Sequence, residues 1–149
     1  MFKGSCLLTV DDKGRIAVPA RFREPLLEQS DGHVVATMFH DRSLAIYPLP
    51  AWEELEQRLQ ALPSGNAANR VLQEMLIGHA DERQLDGQGR LLLAPSLRRY
   101  AGLERDAELI GQSKKLVLWA AQANEQRYEN WAQVLGDPEF AHTVTNLDL

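Results

Sequence analysis

The chain has 149 residues, 44% of them hydrophobic, a single cysteine and a formal net charge of −5. This length and apolar content suffice for one buried core or for two small modules that share one. No run approaches the roughly 18 apolar residues of a membrane span, and residues 1–5 lack the apolar region of a signal peptide, so we expect a soluble, cytoplasmic protein without a membrane partner.

Basic side chains are concentrated in two short segments of an acidic chain. Residues 11–23 and 86–99 each hold two more basic than acidic side chains, so the acidic excess lies elsewhere. The negative total argues against nucleic acid, because phosphate binding depends on neutralisation by cations. The uneven distribution nevertheless suits a localised anionic partner.

The first predicted elements are strand, turn, strand, helix and hairpin. Residues 5–10 are rich in residues that favour strands. They include Cys6, whose side chain we expect to be buried as a small apolar group. The Asp and Gly of residues 11–14 are typical of a tight turn, and residues 15–18 form the second strand. Pro19 fits the first turn of a helix that runs through Phe22. Strands follow at 33–39 and 43–47, joined by a polar turn.

Two helices are predicted next. In residues 50–62 an apolar stripe predicts packing against a sheet, and Pro63 ends the helix; the stripe consists of Trp52, Leu55, Leu59 and Leu62. Apolar residues from Val71 to Leu76 indicate a shorter helix that Gly78 stops.

The pattern then repeats. Asp, Gly and Arg of residues 11–19 recur 75 residues later in 86–95, followed by a basic amphipathic turn and two more strands. Tyr128, Trp131 and Leu135 repeat the helical spacing of the Trp52 stripe, with Asn124 as the expected N-cap. Both stripes are expected to pack against a sheet or another subunit. Residues after Gly136 lack periodicity, and we expect them to fray.

Two copies of one unit predict a mainly β protein with helices, of the α+β class. A unit of about 45 residues has too little core to stand alone, so the two should share one. We expect a pseudo-two-fold pair whose strands close one β-barrel with flanking helices. The predicted segments are module 1 (5–52), a helical connector (53–80), module 2 (81–124) and a C-terminal helix and tail (125–149).

The chain resembles the MraZ family. The resemblance is carried by residues 1–4 (MFKG), 12–23 (DKGRIAVPARFR), 47–52 (YPLPAW), 78–80 (GHA), 86–95 (DGQGRLLLAP), 109–112 (LIGQ) and 115–119 (KLVLW). It therefore extends over almost the whole chain, and its motifs are specific in combination, although a single Asp-x-x-Gly-Arg turn would be weak.

The resemblance implies tandem SpoVT-AbrB modules of the swapped-hairpin type, assembly into a homo-oligomeric ring, and a nucleoid-associated repressor. Such a protein binds short direct repeats in double-stranded DNA upstream of its own gene and of the division and cell-wall gene cluster. Carried over by position, the DNA-facing residues are Lys13 and Arg15 in the first turn and Gln88 and Arg90 in the second. Lys3 stands where many relatives have arginine, and Gln88 lacks the charge of Lys13.

The residue types support the same site independently of the resemblance. A two-stranded β element fits the major groove, where arginine can read guanine O6 and N7. We therefore predict that Arg15 and Arg90 read bases, while Lys13, Arg21 and Arg23 contact phosphate or stabilise the surface. The alternative is that Arg15 and Arg90 only pair with Asp12 and Asp86 to brace each turn.

No pattern indicates catalysis, a cofactor or a metal site. Four histidines are scattered without ligand spacing, namely His33, His40, His79 and His142, and nucleotide-binding and nucleophile motifs are missing. Two alternatives to a DNA-binding regulator remain: a ring-forming protein that regulates by binding another protein, and an AbrB-type antitoxin.

Overall fold

The computed structural model describes residues 1–149. Its elements are β1 (Ser5–Thr9), β2 (Arg15–Ala17), α1 (Ala20–Ser30), β3 (His33–Met38), β4 (Leu44–Pro48), α2 (Leu49–Gln60), α3 (Ala67–Leu76), β5 (Asp81–Gln84), β6 (Arg90–Leu92), α4 (Pro95–Tyr100), β7 (Asp106–Gln112), β8 (Lys115–Ala120), a 3-10 turn (Ala121–Ala123), α5 (Asn124–Leu135) and α6 (Pro138–Leu147). The α+β class is confirmed, but the expectation of a mainly β protein is wrong, because the helices hold more residues than the strands. No helix is long and apolar enough to cross a membrane.

The main sheet combines strands of both sequence copies. Its order is β1-β7-β8-β4-β3-β5, and all pairings are antiparallel. Each outer strand pairs with the other copy: β1 lies against β7, and β5 lies against β3. From either end, the order passes through equivalent strands of the two copies: β1 corresponds to β5, β7 to β3, and β8 to β4. A pseudo-two-fold pair requires this symmetry.

A separate two-stranded ribbon joins β2 to β6. Its register pairs Arg15 with Leu92, Ile16 with Leu91, and Ala17 with Arg90. The ribbon meets the main sheet through a single bridge between Val10 and Ile16. Because the six-stranded sheet stays open at β1 and β5, the expected closed barrel is not confirmed.

One core lies between the sheet and the ribbon and is shared by both copies. Ile16 and Leu91 enter it from the ribbon, and Phe22 from α1 faces the same core as Leu97 from α4. All four side chains are at most 1% exposed. Burying a large apolar side chain contributes about 1.5–3 kcal/mol, so each copy gains part of its stability from contact with side chains of the other.

Helices α2 and α3 cover the opposite face of the sheet in the first copy. Trp52 and Leu59 of α2 pack with Leu76 of α3 against Val35 and Tyr47. Trp52 is 4% exposed, which confirms the predicted packing of this stripe.

The matching stripe of the second copy is not buried in the chain. Trp131 is 56% exposed, so the expected packing of this residue on the sheet is wrong; packing against another subunit stays a prediction. The reason lies at the position 75 residues after Trp52, where the chain has Arg127. Arg127 occupies the buried position, where it donates a hydrogen bond to Glu108 at 2.5 Å and lies 5.1 Å from the centre of the Trp119 ring. The later turns of α5 are therefore exposed.

Three local predictions also need correction. α1 does not stop at Phe22 but continues to Ser30, because Leu26 is buried in the shared core. Asn124 is the first helical residue rather than the N-cap, and its side chain accepts a bond from Arg127. Residues 138–147 form α6 instead of fraying, since Asp137 caps the helix and Pro138 opens it.

Candidate nucleic-acid interface

The two turns that precede β2 and β6 have the same hydrogen-bond pattern. Asp11 Oδ1 accepts from the backbone N–H groups of Lys13 at 2.9 Å and Arg15 at 2.8 Å. In the second turn, Asp86 Oδ1 accepts from the N–H groups of Gln88 and Arg90, both at 2.9 Å. One carboxylate therefore organises each turn and fixes the backbone of the arginine that follows.

The second oxygen of each aspartate holds the arginine side chain. Arg15 Nε donates to Asp11 Oδ2 at 2.8 Å, and Arg90 Nε donates to Asp86 Oδ2 at 2.7 Å. The predicted bracing pair thus exists, but in the first turn its acid is Asp11 and not Asp12. Only Nε is engaged, so both terminal Nη groups of each arginine are left without an intrachain bond and are available to a partner.

These bonds lower the carboxylate pKa values. The backbone N–H of Arg15 is the largest influence on Asp11, and its pKa falls below 3.8. The backbone N–H and then the side chain of Arg90 lower the pKa of Asp86 from 3.8 to about 2. A carboxylate that accepts several N–H bonds is stabilised in its charged form, so both aspartates stay ionised to a lower pH than a free aspartate does.

A buried glycine stands before each arginine. Gly14 has φ +84° and Gly89 has φ +74°, in the left-handed region that other residues rarely adopt. Their N–H groups donate 2.9 Å bonds to the carbonyls of Asp11 and Asp86. The Gly-Arg dipeptide is therefore the point where each turn enters the ribbon.

The ribbon places both arginines on one face. Successive strand residues point to opposite sides, and directly paired residues point to the same side. Ile16 and Leu91 face the core, so Arg15 and Arg90 lie on the outer face with Ala17 and Leu92. From the register, the two arginine Cα atoms are about 8 Å apart, on a diagonal of the ribbon. We call these four residues the ribbon face.

The remaining predicted residues fall into two groups. Lys13 and Gln88 occupy equivalent exposed places in the turns beside the ribbon face. Arg21 and Lys3 instead line a separate groove at the N-terminus, where a Cβ added at Gly4 would lie 2.6 Å from Arg21 Nη1. The structure therefore brings Lys13, Arg15, Gln88 and Arg90 together and sets Arg21 and Lys3 apart.

Arg23 packs against the turn of the other copy. A Cβ added at Gly89 would lie 2.4 Å from Arg23 Cδ. Arg23 Nη1 also donates to the Val18 carbonyl at 3.4 Å. Arg98 does the same at the first turn, against Gly14. Arg98 was not among the predicted site residues, although its position 75 residues after Arg23 was a usable signal.

No group of three or more His, Cys, Asp or Glu side chains is arranged to hold a metal ion. The cysteine is half-buried on β1 and packs at the edge of the shared core. The features that stand out are thus the duplicated turns and the ribbon face between them.

Fold and site together define an α+β protein with an internal tandem repeat, whose copies exchange strands and present paired arginines on one short ribbon. A family profile described as "MraZ protein, putative antitoxin-like" matches the chain twice, over residues 1–75 and 76–144. The chain belongs to the MraZ family.

Relatives match over nearly the whole chain. The chain is 50% identical to "Transcriptional regulator MraZ" of Halorhodospira halophila, with all of both proteins covered. It is also 50% identical to the protein of that name from Sodalis glossinidius, covering 100% of this chain and 94% of the relative. The Yersinia pestis protein of that name is 47% identical over 87% of this chain and 86% of its own.

Proposed function

We propose that this protein is a sequence-specific DNA-binding transcriptional regulator that reads the major groove with its ribbon face. The observation that carries the proposal is the placement of Arg15 and Arg90 on one outer face, each with Nε held by an aspartate and both Nη groups free. The relatives' names support the regulatory role.

The geometry suits base readout. A two-stranded β-ribbon fits the major groove, and a guanidinium offers parallel N–H donors to guanine O6 and N7. Fixing Nε to a carboxylate orients the remaining donors before DNA arrives, so less side-chain entropy is lost on binding. Arg15 and Arg90 are therefore assigned to bases.

Flanking residues are assigned to phosphates and affinity. Lys13 is a flexible cation beside Arg15 and contacts a phosphate, whereas Gln88 offers only neutral hydrogen bonds at the second turn. Lys3 and Arg21 lie in their separate groove at the N-terminus and are assigned to more distant phosphates. Arg23 stabilises the second turn from behind. The first turn therefore contributes more to affinity than the second.

The proposal includes assembly and a target. One ribbon supplies few contacts, so several chains in a ring would raise the effective concentration at direct repeats whose spacing fits the ring. The exposed face of α5, with Tyr128, Trp131 and Leu135, is apolar enough to join such copies. The regulator would act in the cytoplasm, on the nucleoid, repressing its own gene and the division and cell-wall gene cluster.

The test is titration of a labelled fragment from upstream of the gene at two salt concentrations. Wild type should bind and weaken steeply with salt, and Arg15→Ala should lose about 10-fold or more in affinity, with a smaller loss for Arg90→Ala. Arg58→Ala, which removes an exposed charge from α2 on the other face of the sheet, is the control and should bind as wild type.

Footprinting of the same fragment gives the decisive outcome. Protection that persists unchanged in both Arg15→Ala and Arg90→Ala would rule out the ribbon face. Absence of any specific, salt-sensitive shift for wild type would instead favour the second candidate, a ring-forming regulator of protein partners or an antitoxin-type protein. The exposed Tyr128 and Trp131 on α5 are the feature that favours that candidate.

A further inference from the structure

The two arginine-bearing turns are physically connected through residues of the opposite copy. The Val18 N–H donates to the Gly89 carbonyl at 3.0 Å, and the Leu93 N–H donates to the Gly14 carbonyl at 2.9 Å. Gly89 of the second turn is thus bonded to Val18, just after β2, and Gly14 of the first turn is bonded to Leu93, just after β6. The connection reaches the residue directly before Arg15 and the one directly before Arg90.

An arginine closes each connection. Arg98 Nε donates to the Leu93 carbonyl at 3.2 Å, while its guanidinium lies over Gly14, where an added Cβ would be 2.7 Å from Cζ. Arg23 Nη1 donates to the Val18 carbonyl at 3.4 Å, and its side chain lies over Gly89, where an added Cβ would be 2.4 Å from Cδ and 3.2 Å from Nη1. The chain thus contains two equivalent cross-braces: Arg98 with Leu93 and Gly14, and Arg23 with Val18 and Gly89.

The cross-braces are built rather than incidental. Both glycines are buried although they belong to surface turns, and the arginine covers them. Arg23 and Arg98 are themselves half-buried, whereas Arg99 on the same helix as Arg98 is exposed and its side chain makes no hydrogen bond. A planar guanidinium can stack on a glycine peptide and still donate in its own plane, which an ammonium group cannot do.

We infer that Arg23 and Arg98 are positioning residues that act crosswise: Arg98 sets the geometry of the Arg15 turn, and Arg23 sets that of the Arg90 turn. The inference rests on the proposed function, since it assigns the support of the same DNA-reading arginines. It makes each turn depend on an arginine of the opposite copy, so that both copies are needed to build either half of the interface.

Double-mutant cycles test the crosswise pattern with the full chain and the upstream fragment. Arg98→Ala should weaken binding by about 3-fold or more in wild type and in the Arg90→Ala background, but by less than about 2-fold once Arg15 is already alanine. Arg23→Ala should show the reverse dependence, losing its effect in the Arg90→Ala background. Arg99→Ala removes the same charge from α4 without touching a turn and is the matched control.

Salt dependence separates positioning from phosphate contact. A phosphate-binding arginine adds about one unit to the salt slope, so its removal should lower that slope. We expect the slope to be unchanged in Arg23→Ala and Arg98→Ala. A reduced slope, together with losses that add independently to those of both Arg15→Ala and Arg90→Ala, would overturn the inference and make Arg23 and Arg98 phosphate contacts.

A measurement on the free protein, without DNA, tests the inference separately from the proposed function. Hydrogen exchange should accelerate in the peptide holding Gly14 and Arg15 when Arg98 is alanine, and in the peptide holding Gly89 and Arg90 when Arg23 is alanine. Arg98→Lys, which keeps the charge, should repeat the Arg98→Ala result. Uniform acceleration over the whole chain would indicate general destabilisation and contradict the crosswise assignment, even if wild type binds DNA as proposed.

Discussion

Arg90 Nε lies 2.7 Å from Asp86 Oδ2 in the second turn. The first turn repeats the arrangement with Arg15 and Asp11 at 2.8 Å. Both pairs are partly exposed, so their direct contribution to stability is small, and their main effect is to aim the arginine. Without this orienting effect, an aspartate beside a DNA-reading arginine would be expected only to weaken binding, because its charge repels phosphate.

Neutralising Asp11 should therefore weaken DNA binding, although it removes a negative charge. In Asp11→Asn the amide nitrogen can face Arg15 Nε, and two donors repel, so Arg15 loses its orientation. We expect affinity to fall by about 3- to 10-fold in the labelled-fragment titration, in line with the loss of one partly exposed hydrogen bond.

Asp12→Asn is the matched control, because Asp12 is exposed in the same turn and its carboxylate makes no hydrogen bond. Its neutralisation should leave affinity unchanged or raise it slightly by reducing repulsion. Equal or stronger binding by Asp11→Asn would show that only net charge counts at this turn.

The second turn should lose its ion pair only in strong acid. The pKa of Asp86 falls from 3.8 to about 2 in the folded protein, so the charged form is the one stabilised by folding. Its stabilising effect is complete above about pH 4 and disappears as the pH falls through about 2. An NMR titration of the Asp86 carboxyl carbon should give this low midpoint, and Arg90→Ala should move it up towards 3.8. A midpoint that is indifferent to Arg90→Ala would contradict the pairing.

Truncating a core side chain in one copy should destabilise both copies. Phe22 and Leu97 are 1% and 0% exposed in the shared core, and their replacement by alanine should each cost about 2–5 kcal/mol of unfolding free energy. Because β1 and β5 pair across the copies, we expect a single denaturant transition.

The tryptophans report this transition from both copies. In the Leu97→Ala variant with its native tryptophans, fluorescence and far-UV circular dichroism should each show one transition, with coincident midpoints. Two separated midpoints would mean that the copies unfold as independent domains.

Removing the charge of Glu108 should destabilise the second copy. Arg127 is 6% exposed and depends on Glu108, while its Nε and Nη1 atoms are buried without a partner. Glu108→Leu would leave a buried, unpaired cation, at a cost of about 3–5 kcal/mol. The double variant Glu108→Leu with Arg127→Met should recover much of that loss. Chemical denaturation of the four proteins measures the cycle, and purely additive losses would refute the coupling.

The repeat was the most informative feature of the sequence. Identical spacing of Asp, Gly and Arg in residues 11–15 and 86–90 predicted two matching turns, and both have the same bonds. Local chemistry suffices there, because an Asp-x-x-Gly-Arg segment closes its own hydrogen bonds. The Trp52 stripe was predictable for a similar reason, since helical spacing exposes one apolar side.

Partner choice was not predictable in the same way. The alternative interpretation paired Arg15 with Asp12, but Asp11 is the partner, since its Oδ1 accepts two backbone N–H groups of the turn and its Oδ2 accepts from Arg15. Trp131 is expected to pack on the sheet or on another subunit, but Arg127 occupies the buried position on the sheet. α6 was overlooked because its start depends on the Asp137 cap and Pro138 and not on apolar periodicity.

The sequence by itself determined the duplicated turns, the α+β class and the identity of the arginines, because each depends on residues close together in the chain. Only the tertiary structure decided that β2 lies against β6, so that Arg15 and Arg90 share one face, and that Arg23 and Arg98 reach the turns of the opposite copy. These contacts join residues more than 60 positions apart, and they follow from burying Ile16 and Leu91 in one core, which no local pattern specifies.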